Sequence, residues 1–77
     1  MKSFNVLLDS IEKIKSFTNI VSSLDGEIDL VSGRYVIDAK SIMGIFSLDL
    51  TKNIRVDVHN DDVFDKAKKS LAEFIIW

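Results

Sequence analysis

The chain has 77 residues, 47% of them hydrophobic, with a net charge of −2, no cysteine and no proline. That length makes one domain, spanning 1–77, whose small core is expected to give modest stability. The charge argues against a nucleic-acid partner, the missing thiols exclude disulfides and thiolate metal sites, and no apolar run approaches the roughly 20 residues of a membrane span. With no signal-peptide pattern at the N-terminus, a cytoplasmic protein without a membrane partner is the expectation. Every turn must be built from Gly, Asn, Asp or Ser.

Residues 3–8 alternate weakly, with Phe4, Val6 and Leu8 on one side, and predict a first strand. Asp9 and Ser10 are both candidate N-caps for the helix that follows, and Asp9 stands in capping-box spacing with Glu12. Ile11, Ile14, Phe17, Val21 and Leu24 recur every three or four residues, predicting a helix over about 10–23 with one apolar face. Asp25-Gly26 stops it. Ile28 and Leu30 alternate with Glu27 and Asp29, and Ser32-Gly33 then marks a hairpin turn into a third strand at 34–39.

Ala39-Lys40-Ser41-Ile42-Met43-Gly44-Ile45-Phe46-Ser47-Leu48 reads as a second helix over about 42–49, with the Ser41 hydroxyl as its N-cap acceptor. In so short a helix only part of the apolar set can face a sheet. Ile45 and Leu48, with Ile42 or Leu50, would serve the core, leaving Met43 and Phe46 exposed together; the alternative puts them all in the core. Ile54, Val56 and Val58 alternate with Arg55, Asp57 and His59 to predict a fourth strand. Asn60-Asp61-Asp62 offers caps for a last helix over about 61–75, with Val63, Ala67, Leu71, Phe74 and Ile75 on its apolar side, and Trp77 is expected to cover a core edge. Four strands interleaved with three helices predict an α+β, two-layer open-faced sandwich, a mostly antiparallel sheet with the helices on one face in the order βαββαβα.

Lys40-Ser41-Ile42-Met43-Gly44, followed by Ser47-Leu48, resembles the second-helix segment of HPr, the histidine-containing phosphocarrier protein of the bacterial sugar phosphotransferase system. The resemblance is motif-specific over about 36–50 and covers nearly the whole chain in element order. It implies that Ser41 matches a regulatory phosphorylation site and that Lys40, Ile42, Met43 and Phe46 form a partner-binding patch. In the family the phosphorylated histidine begins the first helix within Gly-(Leu/Ile)-His-Ala-Arg-Pro. Counting back from Ser41 without gaps puts Ser10 at the histidine position, Ile11 and Glu12 at the alanine and arginine, and Lys13 at the proline. No histidine lies between Met1 and Val58, and a carboxylate where the family has arginine opposes a phosphoryl group.

His59, the one histidine, reads as a solvated strand-end side chain or, alternatively, as a relocated carrier. A lone imidazole without thiolates makes no zinc site. Ser10 has no neighbouring base to make it a nucleophile, and no phosphate loop, triad or carboxylate pair is present. The expectation is therefore a non-enzymatic HPr-like protein with no cofactor and no catalytic residue. It would act in catabolite regulation or sugar transport by binding proteins, a serine kinase and a metabolic regulator among them. The alternatives are a phosphocarrier of altered chemistry in sugar uptake and an interaction domain that kept only the fold.

Overall fold

The computed structural model describes residues 2–76, and Trp77 with its expected core contact lies outside the described residues. The elements run β1 (Lys2–Val6), α1 (Ile11–Ser22), β2 (Ile28–Ser32), β3 (Tyr35–Asp38), α2 (Ile42–Phe46), β4 (Ile54–Val58) and α3 (Asp61–Ser70), with a 3₁₀ turn at Ala72–Phe74. The strands form one sheet in the order β1-β4-β2-β3, antiparallel at every pairing. This is the α+β open sandwich that the patterning predicts.

The register explains the alternation. Phe4 faces Val56, Val6 faces Ile54, and Leu30 faces both Val56 and Ile37, so one sheet face is apolar. Helices cover that face because α1 brings Ile14, Phe17 and Val21 to it, and α3 brings Ala67. Phe17 is fully buried and meets Phe74 edge-on, with ring centroids 5.8 Å apart. Phe4 stacks obliquely on Phe64, whose ring centroid lies 5.4 Å from the Lys2 ammonium.

Three helix ends depart from expectation. The last helix stops at Ser70 rather than continuing to 75, since Leu71 leaves helical geometry at φ −103°, ψ 13°. The break lets the 3₁₀ turn carry Phe74 onto Phe17 and return the chain to β1, where Ile75 bridges Val6 and Ile76 N–H donates to the Asn5 carbonyl. Helix α2 is shorter than predicted. Gly44 weakens its centre, and the Ser47 hydroxyl takes the Gly44 carbonyl at 2.6 Å, ending the helix after little more than one turn. At α3, Asn60 holds the N-cap position without capping; its side-chain oxygen instead accepts the Glu27 N–H at 3.1 Å.

Among the described residues no second layer covers the other face of the sheet. Cross-strand pairing lines Ser3, Asp57, Asp29 and Asp38 in one row over it, with Asn5, Arg55, Val31 and Val36 in the next. Asp57 is only 6% exposed there because Arg55 lies over it, donating Nε to Oδ1 at 2.8 Å and Nη2 to Oδ2 at 3.1 Å.

Candidate functional site

The residues singled out by sequence fall at three places. The first is the start of α1. Ser10, in extended backbone at φ −143°, is the N-cap, and its hydroxyl accepts the Lys13 N–H at 3.2 Å. Of the two candidate caps Ser10 is the one used, and the Asp9–Glu12 capping box does not form. Asp9 is instead occupied by the Lys13 ammonium at 2.8 Å, which holds its carboxyl below the usual carboxylate range. The Lys13 ammonium is thus already matched by a carboxylate, and Glu12 places an acid in the first turn.

Ile11 does not join the core face assigned to it. It is 60% exposed, because the sheet layer beneath α1 is first met at Ile14. The helix instead buries Thr18, which periodicity did not select. Its hydroxyl donates to the Ile14 and Lys15 carbonyls, and so it enters the interior with its hydrogen-bonding capacity used.

The second place is the short helix α2 and the turn before it. Asp38 builds that turn, its carboxylate accepting the Lys40 N–H and its carbonyl accepting the Ser41 N–H, both at 2.9 Å. Ser41 occupies the N-cap position, but its hydroxyl makes no capping hydrogen bond, contrary to expectation. The difference lies in the backbone: Ser41 stands at φ −93°, ψ 93°, held by the Asp38 turn, whereas Ser10 is fully extended. Loss of the Ser10 hydroxyl is therefore expected to cost about 1 kcal/mol, and loss of the Ser41 hydroxyl only a few tenths. Urea unfolding of Ser10→Ala and Ser41→Ala checks the pair; equal losses would contradict the geometry.

Ile45 and Leu48 are buried, and Ile42 and Leu50 pack partly against the core. Met43 is 77% exposed and Phe46 41%, three residues apart on one side of the helix. This is the division of labour that the short helix predicts. Gly44 sits close over β3, where an added Cβ would meet the Ser41 Oγ at 3.2 Å and the Ile37 Cδ1 at 3.3 Å. Lys40, expected at the patch edge, is exposed and sends its ammonium to the Leu24 carbonyl just past the end of α1, 3.2 Å away. The structure thus brings Ser41, Ile42, Met43 and Phe46 together on one short element, with Lys40 bracing it against α1.

The third place is His59. It is not a merely solvated side chain, since its Nε2 is hydrogen-bonded to Asp29 Oδ2 at 2.7 Å, while its backbone N–H donates to the Glu27 carbonyl at 3.0 Å. The imidazole ties the end of β4 to β2, and Asp61 and Asp62 follow in sequence in the first turn of α3. That pairing joins residues 30 apart and follows from the strand order, which alternation within a single strand does not reveal. Among the described residues no group of three or more His, Asp or Glu side chains is placed to hold a metal ion, and no helix is long and apolar enough to cross a membrane.

The fold has a known counterpart. The chain is similar to the crystal structure of HPr-C-His from Thermoanaerobacter tengcongensis, with a TM-score of 0.78 and 24% sequence identity over 95% of this chain and 89% of that one. The protein therefore has an HPr-like fold, in agreement with the resemblance carried by Lys40–Leu48. No protein-family model matches the chain, and no curated protein matches it by sequence.

Proposed function

We propose that the chain is an HPr-like protein of the phosphotransferase system family that does not carry phosphate on histidine and acts, without catalysis or a cofactor, as a protein-binding regulatory module. The observation that carries this reading is on α2: an exposed serine with no capping bond stands two residues before Met43 and five before Phe46, both exposed. A phosphoryl group on Ser41 would add charge and three acceptor oxygens beside an apolar pair, changing what a partner meets there. Methionine, flexible and polarisable, suits such a contact.

The start of α1 supports the loss of the carrier role. A serine there is used as a helix cap, its neighbouring lysine is paired with Asp9, and Glu12 presents negative charge to any phosphoryl group. The surroundings of His59 speak against a relocated carrier, since its partner is a carboxylate and two more acids begin the next helix. The proposed partners are a serine kinase and a regulator of sugar metabolism in a bacterial cytoplasm.

Incubation with an HPr kinase and ATP, followed by intact mass and fragment analysis, is expected to place one phosphate on Ser41 and none on a Ser41→Ala variant. Modification elsewhere, or none at all, removes the regulatory reading. Treatment with phosphoenolpyruvate and the first enzyme of the system is expected to leave the protein unlabelled; an acid-labile phosphoryl group lost in His59→Gln would restore the carrier alternative.

A further inference from the structure

The two edges of the sheet are treated differently. The outer side of β1 is closed by the chain's own C-terminal segment, through the Val6–Ile75 bridge, Leu7 N–H to the Phe74 carbonyl and Ile76 N–H to the Asn5 carbonyl. The outer side of β3 has no such cover among the described residues, and it carries Tyr35 at 63% and Val36 at 62% exposure.

The groups open on that edge follow from the hairpin. Ser32 pairs with Tyr35 across the two-residue turn Gly33-Arg34, and Ala39 N–H donates to the Ile28 carbonyl, so odd-numbered residues of β3 direct their amides to β2. The opposite sides of those peptide units point away: the carbonyls of Arg34 and Val36 and the N–H groups of Val36 and Asp38. An exposed strand edge of this kind is a template for a further strand.

The geometry points to a second copy of this chain as that strand, paired antiparallel through β3 about a two-fold axis at Val36. In this register Val36 faces Val36 of the other copy and exchanges two hydrogen bonds with it. Each Asp38 N–H donates to an Arg34 carbonyl across the axis, so all four open groups of each copy are satisfied. Residues opposite one another lie on the same sheet face, and Arg34 meets Asp38 twice, giving two reciprocal ion pairs beside the central valines. Tyr35 meets Ile37 on the other face. Charges at the ends of an edge strand ordinarily keep it from self-pairing; here opposite signs stand symmetrically about one residue, and the two-fold turns them into partners. The area is small, so the association is weak and concentration-dependent.

Sedimentation velocity over the micromolar-to-millimolar range, at low salt, is expected to show a monomer–dimer equilibrium. Arg34→Asp, which sets carboxylate against carboxylate, and Asp38→Arg, which sets cation against cation, are each expected to sediment as monomers. Mixing the two single variants is expected to restore a dimer, because every cross pair is then of opposite sign. Asp38→Asn keeps the acceptor for Lys40 N–H and removes only the charge; it is expected to weaken the dimer at least several-fold while circular dichroism stays unchanged. The wild-type chain supplies a reading that needs no variant: amide exchange slowed at Val36 and Asp38 as concentration rises. A monomer throughout that range, a dimer indifferent to charge reversal, or protection mapping elsewhere overturns the proposal.

Discussion

Phe17→Ala is expected to lower the unfolding free energy by about 3–5 kcal/mol, most of what a chain of this size has to lose. The ring is fully buried at the centre of α1, and it is the meeting point of two elements distant in sequence, since Phe74 stands edge-on to it from the 3₁₀ turn. Truncation opens a ring-sized void between α1 and the 3₁₀ turn, on the helix face that Phe17 shares with Ile14 and Val21. The loss should reach further than α1. Phe74 positions the segment that closes the edge of β1, so exchange of the Leu7 and Ile76 amides should accelerate in the variant beyond the global change. Phe17→Leu, which keeps most of the volume, is expected to recover more than half of the stability. Chemical denaturation with residue-resolved hydrogen exchange measures both effects; a Phe17→Ala loss under about 1 kcal/mol would show that Phe17 does not hold α1 and the 3₁₀ turn together.

Gly26→Ala is expected to cost about 2–3 kcal/mol, an unusually large penalty for one methyl group at an exposed loop. Two causes add. Gly26 sits at φ +97°, where an L side chain is strained. Its missing Cβ is also space already taken, because an added carbon would lie 2.7 Å from the Asn60 side-chain oxygen that accepts the Glu27 N–H. Relief of the clash requires Asn60 to swing away and abandon that bond. A double-mutant cycle separates the causes: in an Asn60→Ala background the Gly26→Ala penalty should fall to the backbone part alone, about 1–2 kcal/mol. Penalties equal in the two backgrounds would show that the Asn60 contact has no energetic weight.

Much of this architecture is legible in the residues themselves, and the failures are instructive. The alternation of Ile54, Val56 and Val58 and the spacing of Ile14, Phe17 and Val21 define elements because a single buried face dictates their period. Periodicity does not say where the opposing layer begins, and so Ile11 fits the stripe yet stands in solvent. Ser41 shows a second limit. Residue type marks the N-cap position correctly, but whether the hydroxyl closes on an N–H depends on a backbone angle fixed by the preceding Asp38 turn. The exposure of Met43 and Phe46 is legible because one turn of helix can offer only one side to a sheet. The His59–Asp29 contact and the cover of Asp57 by Arg55 required knowledge of which strands are neighbours and which face is open.

The strand order also governs when this chain can fold. The first and second strands are not paired with each other, and the strand that joins them, Ile54–Val58, lies late in the sequence. A nascent chain that has emerged only as far as residue 50 holds one hairpin and two helices, and an isolated hairpin is marginal on its own. The closing segment arrives later still, with Ile75 and Ile76. Assembly is thus withheld until the fourth strand and residues 75 and 76 are available, and the fold is acquired in one cooperative event rather than built up from the first strand onward. Synthesis paused before the fourth strand should therefore leave the released segment as digestible by protease as a denatured chain, with resistance appearing abruptly once Ile75 and Ile76 are free to dock.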